Sequence, residues 1–321
     1  MQERPSETPK VFDIAFLDGD EIVYNAGFAS QHKWYYVYDI NETNEGEWFA
    51  KFKYKKEAVE YCNTWLGGVH KPEEDSGFGV IVPQIKVDPE GIARYNADQY
   101  IKAIKKATNA KNIVLLFSHS DNFRNDIASF QPYKGSRATA PKPVHYSEIK
   151  KHLVIEYEAE AWEYFEADDL LGCYGMESFL YKQNNVIVTN DKDLNMIPGW
   201  RYYPNKKVLT WISYQEASDF FFVQWLTGDA TDDIPGIYKV SGNKVKATKK
   251  LKEWVLEGRD PFERYARVWQ AYRDADCYDD EDDTTSIVLE IGRLLWMKRD
   301  RSNHCFDSFI NSTCTISQLA V

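Results

Sequence analysis

The sequence lacks the features of several common protein classes. Its five cysteines are an odd number without CxxC spacing, so neither a disulfide framework nor a zinc site is indicated. No apolar run reaches membrane-spanning length, and the segment Met1–Lys10 is polar, without the apolar core of a signal peptide. We therefore expect free thiols in a reducing compartment and a cytoplasmic protein.

Basic residues are scarce relative to acidic ones. The chain has 39 lysines and arginines against 50 aspartates and glutamates, which gives a formal net charge of −11. This balance argues at first against a nucleic-acid partner, because phosphate binding needs positive charge. A cluster of carboxylates at one site, however, would make the chain acidic even if its binding surfaces were basic. The positions of the acids therefore decide the question.

Short apolar segments alternate with segments of helical spacing over most of the chain. The patterns predict strands at Val11–Leu17, Asn112–Ser118 and Val186–Thr189, and helices at Lys55–Leu66, Ala97–Ala107, Ala167–Tyr181 and Ser213–Thr227. This alternation predicts an α/β fold with a mostly parallel central sheet flanked by helices. Ligands of such sheets bind beyond the carboxyl ends of the strands.

Other regions depart from this alternation. Residues 1–10 are expected to form a flexible tail, and the β-type patterns on either side of NETNEG predict a hairpin insertion at about residues 34–54. After about Ile234 the strand patterns end and helical ones continue. We expect an α/β core over residues 11–227 and a helical region over residues 228–321.

Acidic residues recur where predicted strands end and predicted helices begin. They are Asp18 and Asp20 in LDGD, Glu166, Asp168 and Asp169 in EADDLL, Asp191 and Asp193 in TNDKDL, and Asp229, Asp232 and Asp233 in TGDATDDIPG. Each motif alone is also typical of a turn or a helix cap. All four in this order indicate one shared site.

Carboxylates gathered at one edge of a sheet would raise one another's pKa. Hard divalent cations such as Mg²⁺, which prefer oxygen ligands, remove that penalty. Two ions about 3.5–4 Å apart would activate a water molecule and stabilise the leaving oxygen of a phosphodiester. The acids therefore predict a site for two Mg²⁺ or Mn²⁺ ions.

Two segments are basic despite the acidic chain. Ile127–Ser147 contains Lys134, Arg137 and Lys142 among aromatic residues and has no acid, a composition that suits a single nucleic-acid strand. Ile234–Lys252 has six lysines and no acid. Backbone amides at a helix start in this second segment would bind phosphates without reading bases. Exposed loops without such a role are the alternative for both segments.

With these motifs the chain resembles the 5′-nuclease superfamily. Its members include flap endonucleases, the 5′-exonuclease domains of bacterial DNA polymerases and the stand-alone 5′-exonucleases of tailed phages. The matching segments run in family order over roughly residues 11 to 255: LDGD, FRNDIASFQPYKGSR, EADDLL, TNDKDL and TGDATDDIPGI. The phage enzymes resemble it most, because the chain is short and its first motif has the LDGD form.

The resemblance implies a metal-dependent, structure-dependent 5′–3′ exonuclease or flap endonuclease in phage DNA replication, DNA degradation or primer removal. It also implies a fold with a helical arch at about residues 123–146 and a helix–turn–helix-like element at about 234–256, where K⁺ could bind. The expected partner is DNA with a 5′ end or flap, with RNA–DNA hybrids as a further possibility, and the expected state is a monomer in a phage-infected host cell.

The resemblance also assigns residues. The implied metal ligands are Asp18, Asp121, Glu166, Asp168, Asp169, Asp191, Asp193, Asp229 and Asp232. The implied catalytic residues are Asp18, Arg124, Lys134 and Arg137. The implied DNA-binding residues are Arg124, Tyr133, Lys134, Arg137, Lys142, Lys239, Gly242, Lys244, Lys246 and Lys249.

The chain departs from the family pattern after the second strand. The family usually has an aspartate where FSHSDNFR has His119, so Asp121 is expected to substitute for it, with His119 as the alternative ligand. Asp233 stands where an asparagine is common.

Two functions of other classes stay open. LDGDEI and TGDATDD also resemble motifs of haloacid-dehalogenase-like phosphatases, which would use Asp18 as a nucleophile on small phosphate esters. That alternative leaves YKGSR and EADD unexplained. The other is a nuclease-like protein that binds branched DNA without cutting it. Within the nuclease hypothesis, exonuclease and flap endonuclease preferences both stay open.

Overall fold

Apolar runs such as FDIAFLD form strands that lie inside a larger sheet. The computed structural model describes residues 5, 7–40, 48–74, 76–137, 140–275, 281–301 and 305–311. Its strands are β1 (Phe12–Asp18), β2 (Gln31–Asp39), β3 (Ala50–Phe52), β4 (Gly79–Val87), β5 (Ala110–Phe117), β6 (Glu160–Ala161), β7 (Asn185–Val188), β8 (Gly199–Tyr203), β9 (Val208–Ile212), β10 (Gly228–Asp229) and β11 (Ile234–Pro235).

Helices follow or separate most of these strands. They are α1 (Gly19–Ala29), α2 (Lys55–Trp65), α3 (Glu90–Thr108), α4 (Phe123–Ile127), α5 (Tyr146–Tyr157), α6 (Ala167–Leu180), α7 (Tyr214–Thr227), α8 (Ile237–Val240), α9 (Lys249–Leu256), α10 (Pro261–Asp274), α11 (Glu281–Leu295) and α12 (Cys305–Ile310). The chain divides into two units. The first comprises residues up to Ile22, Tyr100–Pro141 and Lys150 onward, and the second comprises Val23–Gln99 and Lys142–Ile149.

The first unit contains a six-stranded sheet of order β6-β5-β1-β7-β8-β9. All neighbouring pairs are parallel except β8 and β9, which are antiparallel. Strand β1 lies in the middle, with Leu17 opposite both Leu115 of β5 and Val188 of β7. The predicted α/β fold is confirmed. Because the three central strands are parallel, the residues that follow them emerge at the same edge.

Aromatic residues of α7 and the later helices pack behind this sheet. Trp225 is fully buried, and its Nε1 donates to the carbonyl of Val288 at 2.8 Å. Its ring lies 5.2 Å from that of Phe221 and 5.6 Å from that of Phe306. A Cβ added at Gly292 of α11 would lie 2.3 Å from the Trp225 ring, so the helix approaches this ring as closely as glycine permits. These contacts tie the helical region to the core of the first unit.

Two glycines shape the loop that carries the last acids. Gly228 ends α7 with φ +69°, a left-handed conformation that favours glycine. A Cβ at this position would lie 2.3 Å from the backbone nitrogen of Gly236. The close approach lets β10 pair antiparallel with β11 and holds the intervening residues in a tight loop.

The second unit contains a three-stranded antiparallel sheet of order β3-β2-β4. Helix α2 packs against all three strands, and Val37, Ala58 and Cys62 form the buried centre. Strands β2 and β3 correspond to the predicted hairpin, while residues 41–47 of its turn lie outside the described residues. Strand β4 was not predicted, because Pro83 interrupts it and the four other exposed residues, Val82 and Gln84–Lys86, do not alternate with buried ones.

The segment predicted as a helical arch has little helix. It contains the five-residue α4, a 3₁₀ turn at Gly135–Arg137 and the first residue of α5, and residues 138–139 lie outside the described residues. Helix α9, within the predicted helix–turn–helix-like element, begins at Lys249, because Thr248 caps it and accepts a hydrogen bond from the Leu251 amide at 3.3 Å.

Several smaller predictions concern cysteines, the tail and membranes. Cys62 and Cys173 are buried free thiols, whereas Cys277, Cys314 and the side chain of Cys305 are not among the described groups. Residues 1–4 and 6 of the predicted tail also lie outside the described residues. No described helix is both long and apolar enough to cross a membrane.

Candidate metal and nucleic-acid site

Asp18 ends the central strand, and its side chain is held by the start of α1. Its Oδ1 accepts hydrogen bonds from the backbone amides of Asp20 at 2.8 Å and Glu21 at 3.2 Å. Burial, and then the neighbouring charge of Asp20, raise the pKa of Asp18 to about 8. The strand therefore presents a desolvated carboxyl group that is costly to ionise without a cation.

Asp168 lies in the first turn of α6, where the EADD motif begins the helix. Burial raises the pKa of Asp168 well above its ordinary value, and the charges of Asp18 and Asp191 raise it further. Acids from the end of β1, the start of α6 and the loop after β7 thus act on one another. The structure brings together these three motifs as the sequence pattern predicts.

Asp193 and Asp229 form a second acidic pair, from the loops after β7 and α7. Burial, followed by a hydrogen bond with Asp229, raises the pKa of Asp193 to about 7. Burial also acts to raise the pKa of Asp229, but hydrogen bonds from Asp193, the Thr231 amide and Lys192 outweigh it, and the net pKa is lowered. Of the two carboxyl groups, Asp193 therefore takes up a proton more readily than Asp229.

Two residues that sequence analysis did not single out support this pair. Gln224 Nε2 donates to Asp193 at 2.9 Å and to Asp229 at 3.0 Å. Lys192 Nζ lies 3.3 Å from Asp229 Oδ2 and 3.7 Å from Asp193 Oδ1. Lys192 stands between the two aspartates of TNDKDL, so the motif itself indicated that this lysine would lie near the acids. Gln224 lies inside α7 and gave none.

The YKGSR segment contacts the acids of two other motifs. Lys134 Nζ lies 2.7 Å from Glu166 Oε1 and 3.6 Å from Asp232 Oδ2, and Arg137 Nη2 lies 2.7 Å from Asp232 Oδ1. Tyr133 donates through its hydroxyl to Glu166 at 2.8 Å and to Asp232 at 3.1 Å. We call these five residues the open clamp, because Lys134 and Arg137 keep 23% and 45% of their side-chain surface exposed.

Charge balance in the open clamp keeps Glu166 ionised. Burial acts to raise the pKa of Glu166, but the cations Arg124 and Lys134 outweigh it and lower the pKa. The pKa of Lys134 is raised, because Glu166 and Asp232 overcome the opposing effect of burial. The open clamp therefore holds charged groups of both signs at a partly solvated surface.

Arg124 does not lie on a surface that DNA could reach, contrary to the sequence-based assignment. It is 4% exposed, and its Nη1 and Nη2 donate to the two carboxylate oxygens of Asp169 at 2.7 and 2.9 Å. Its Nε and Nη2 donate to the carbonyls of Leu294 and Trp296 at 2.9 and 2.8 Å. We call Arg124, Asp169 and these two carbonyls the buried tie.

Asp169 is likewise engaged away from the other acids, although it was predicted as a metal ligand. It is fully buried, and besides Arg124 it accepts from the backbone amides of Glu166 at 3.3 Å and Lys298 at 3.1 Å. Both of its oxygens are therefore occupied by internal donors. Arg124 and Asp169 fix the start of α6 against the segment after α11.

Among the contacts of the described residues, none joins Asp121 to the other acids of the site. Its side chain is 69% exposed and lies 4.0 Å from His119 Nδ1. Asp20 instead reaches the end of β5, where its Oδ2 accepts from the Ser118 amide at 2.9 Å. Asp20 belongs to LDGD but was not assigned a role, so the structure reveals an acid near the place where Asp121 was expected.

Glu21 is a further acid that sequence analysis missed. Its Oε2 accepts from the backbone amide of Asn190 at 3.3 Å, and its Oε1 accepts from the Asn190 side chain and from Tyr100. Asn190 immediately precedes Asp191. The contact therefore links the LDGD and TNDKDL motifs at the strand edge.

The donors fit divalent cations in chemical kind. They are carboxylate oxygens, and burial together with neighbouring carboxylates raises the pKa of Asp18, Asp168 and Asp193, a penalty on the ionised form that a hard cation would remove. Among the described residues, however, no three side chains of His, Cys, Asp or Glu stand together as a ready ion-binding group. Lys134 and Lys192 contact several of these acids instead.

The predicted duplex-binding lysines lie around a turn between α8 and α9. Gly242 and Asn243 have φ values of +62° and +67°, and a Cβ on Gly242 would meet no atom within 4 Å. The lysines of this segment that are exposed are Lys239, Lys244, Lys246, Lys249 and Lys250. Lys142, also predicted to bind DNA, belongs to the second unit, where its Nζ lies 4.8 Å from the Tyr146 ring centroid.

Comparisons with known proteins agree with this architecture. No protein-family model matches the chain. The chain is 28% identical over 151 residues to the "5′-3′ exonuclease" of Buchnera aphidicola subsp. Schizaphis graminum (strain Sg), a match that covers 43% of the chain and 52% of the relative. It is 29% identical over 153 residues to the protein of the same name from Buchnera aphidicola subsp. Acyrthosiphon pisum (strain APS), covering 42% of the chain and 51% of the relative.

The matches therefore span about half the length of these curated relatives. Among solved structures, the T5 5′-exonuclease with divalent metal ions (zinc) bound aligns with a TM-score of 0.51 and 12% identity, over 88% of this chain and 89% of that one. This second likeness concerns the fold. The chain is therefore similar in sequence, over part of its length, to proteins named 5′-3′ exonuclease, and similar in fold to the T5 5′-exonuclease.

Proposed function

We propose that the protein is a structure-dependent 5′–3′ exonuclease or flap endonuclease that hydrolyses DNA phosphodiesters with bound divalent metal ions. The observation that carries the proposal is the meeting of acids from four separate motifs. Burial and the charges of Asp18 and Asp191 raise the pKa of Asp168, and burial and a hydrogen bond with Asp229 raise that of Asp193. The names of the relatives and the metal-bound T5 structure support the same activity.

We assign the metal ligands to two groups of acids. Asp18, Glu166 and Asp168 would hold one ion, and Asp191, Asp193, Asp229 and Asp232 would hold the other. Mg²⁺ or Mn²⁺ would activate the attacking water and stabilise the leaving oxygen. Loading requires Lys134 and Lys192 to give up part of their present contacts with these acids. Asp169 is left out because the buried tie occupies both of its oxygens.

The chain's own cations would then position the substrate. Lys134 and Arg137, released from Glu166 and Asp232, would bind oxygens of the scissile phosphate. Tyr133 lies between the same two acids and can stack on the terminal base. Arg124 holds the start of α6 in place and does not contact DNA.

The exposed lysines near Gly242 would hold the duplex beyond the cut. They carry no base-reading geometry, so binding there is expected to depend on backbone charge and salt rather than on sequence. A K⁺ ion at the Gly242 turn belongs to the same proposal. The proposed setting is DNA replication, DNA degradation or primer removal in phage-infected cytoplasm, with the protein acting as a monomer and RNA–DNA hybrids as a further substrate.

Cleavage of end-labelled duplex and 5′-flap DNA in Mg²⁺, Mn²⁺ or EDTA tests the function. We expect metal-dependent release of mononucleotides or short oligonucleotides from 5′ ends, and loss of that release in the Asp168→Asn, Asp191→Asn double variant. Asp126→Asn, which removes an exposed charge from α4, is the matched control. Hydrolysis of a small phosphate ester without DNA cleavage would favour the phosphatase, and DNA binding without cleavage would favour a binding-only protein.

A further inference from the structure

The three-stranded sheet of the second unit has one face covered by α2 and one face rich in aromatic rings. Paired residues of an antiparallel ladder share a face, and Tyr36 pairs with both Lys51 and Val82 while Trp34 pairs with Gln84. Trp48, just before β3, packs edge-on against Tyr36 with ring centroids 5.4 Å apart. We call this surface the aromatic face; it consists of Trp34, Tyr36, Tyr38, Trp48, Lys51 and Lys86.

The aromatic face is accessible. Lys51 and Lys86 are exposed, Trp48 is 49% exposed, and Trp34 and Tyr36 are half-buried beneath the lysine side chain. Lys51 Nζ lies 4.1 Å from the Trp34 ring centroid and 5.3 Å from that of Tyr36. Lys51 thus places a positive charge beside the rings of Trp34 and Tyr36.

The charge around this sheet is opposite to that of the chain as a whole. Residues 31–40, 48–56 and 79–88 contain the six lysines Lys33, Lys51, Lys53, Lys55, Lys56 and Lys86 against the two acids Asp39 and Asp88. Asp88 is already paired with His32 at 2.8 Å. The glutamates of residues 41–47 lie outside the described residues. Two of these lysines, Lys51 and Lys86, lie on the aromatic face itself, and positive charge there on a chain of net charge −11 favours an anionic partner.

We propose that the aromatic face binds single-stranded DNA by stacking unpaired bases on Trp34, Tyr36 and Trp48 while Lys51 and Lys86 contact the phosphates. Residues two apart on one face of a strand are separated by about 6.8 Å, so Trp34 and Tyr36 can receive successive bases of an extended strand. A duplex would hide its bases from these rings. The choice of DNA over RNA rests on the proposed function, whose substrates are 5′ ends and flaps of DNA.

The experiment measures binding of a short fluorescent oligothymidine by anisotropy in EDTA, so that cleavage plays no part. We expect Trp34→Ala to weaken binding by about tenfold, because one stacked base is lost. Trp34→Phe keeps an aromatic ring and should stay within about twofold of the wild type. Tyr95→Ala, which removes a 58% exposed aromatic residue of α3 in the same unit, is the matched control and should not change binding.

A second variant guards against misfolding of Trp34→Ala, which circular dichroism would detect. Lys51→Gln should lower the slope of log affinity against log salt by about one. Unchanged affinity and slope in Lys51→Gln, or equal losses in Trp34→Ala and Tyr95→Ala, would overturn the proposal. Tighter binding of oligouridine RNA or of a DNA duplex than of oligothymidine would overturn it as well.

The outcome is separate from that of the nuclease proposal. A wild-type protein that cleaves DNA with Mg²⁺ but does not bind oligothymidine overturns the aromatic face alone. A wild-type protein that binds oligothymidine through Trp34 but cleaves neither duplex nor flap supports the aromatic face and overturns the nuclease function.

Discussion

The buried tie and the open clamp place the same kinds of side chain in contrasting settings. Both join cations of the FRNDIASFQPYKGSR segment to acids of EADD. The two cations that do so, Arg124 and Lys134, stand ten residues apart in the sequence. Arg124 is 4% exposed and meets two carboxylates and two carbonyls, whereas Arg137 keeps 45% of its side-chain surface exposed and meets one carboxylate and one carbonyl. A cation with all its donors satisfied inside the protein stabilises the fold. One that is partly solvated and weakly held can change partners.

Breaking the buried tie should give the largest effect on stability. Arg124→Ala leaves Asp169 buried without its counter-charge, which typically costs about 3–5 kcal/mol. We expect the free energy of unfolding in urea to fall by that amount. Arg137→Ala, which removes an exposed ion pair, should cost no more than about 1 kcal/mol. Equal losses in the two variants would remove the distinction between the two regions.

Breaking the open clamp should instead reduce activity. Lys134→Ala removes a cation proposed to bind the scissile phosphate, and we expect turnover of a 5′-flap substrate to fall by about 10²–10³-fold. The free energy of unfolding should fall by only about 1 kcal/mol, because Lys134 is partly exposed. A loss of stability comparable to that of Arg124→Ala would show that Lys134 is structural.

Metal loading should stabilise the acidic cluster and leave the buried tie unaffected. At a Mg²⁺ concentration of about 100 times the dissociation constant, binding raises the free energy of unfolding by about 2.7 kcal/mol. Thermal unfolding with Mg²⁺ and with EDTA measures this difference. The Asp168→Asn, Asp191→Asn double variant should lose it, while Arg137→Ala should keep it. Equal melting temperatures with and without Mg²⁺ in the wild type would contradict the metal assignment.

The two adjacent aspartates of EADD should respond in opposite directions. Asp168→Asn removes a carboxyl group whose ionised form is disfavoured by burial and by the charges of Asp18 and Asp191, and we expect the metal-free protein to gain about 0.5–2 kcal/mol of stability while cleavage is lost. Asp169→Asn disrupts the buried tie and should lower stability. Urea unfolding of both variants in EDTA measures the contrast. If both substitutions lower the free energy of unfolding, Asp168 also stabilises the fold.

The smallest effect is expected from an exposed lysine that belongs to neither the buried tie nor the open clamp. Lys244→Ala, in the turn before α9, should weaken duplex binding uniformly across sequences and lower the salt slope by about one. Stability should change by less than about 0.5 kcal/mol. Binding titrations at several salt concentrations measure the slope, and Arg273→Ala on α10 is a control for general loss of positive charge. A sequence-dependent loss in Lys244→Ala would indicate base contact.

The main sheet and the meeting of the acidic motifs could be predicted from the sequence. Apolar runs mark β1, β5 and β7, and parallel neighbours must deliver Asp18, Asp168 and Asp191 to one edge. The role of Arg124 could not be predicted, because its carbonyl partners lie about 170 residues away in the sequence. Every residue has a backbone carbonyl, so side-chain identity does not mark these partners. Local motifs identify residues whose partners are close in the sequence. They do not distinguish a cation that will be buried from one that will be exposed to solvent.

The neighbours of the predicted acids were harder to anticipate for a related reason. Asp20 and Glu21 could serve equally as turn residues or helix caps, and their contacts with Ser118 and Asn190 depend on sheet register. Asp121 lies two residues beyond the position where the family usually has an aspartate, and its side chain is 69% exposed. Strand β4 was missed because a proline interrupts it at an edge of the small sheet.

The buried tie also has a consequence for the order of events during protein synthesis. Arg124 and Asp169 leave the ribosome long before Leu294, Trp296 and Lys298, whose backbone groups complete their hydrogen bonds. Until those residues are translated, the start of α6, which carries Glu166 and Asp168, lacks the hydrogen bonds that complete the buried tie. A nascent chain should therefore gain its catalytic geometry only near the end of translation, so that incomplete copies released early would not cut DNA.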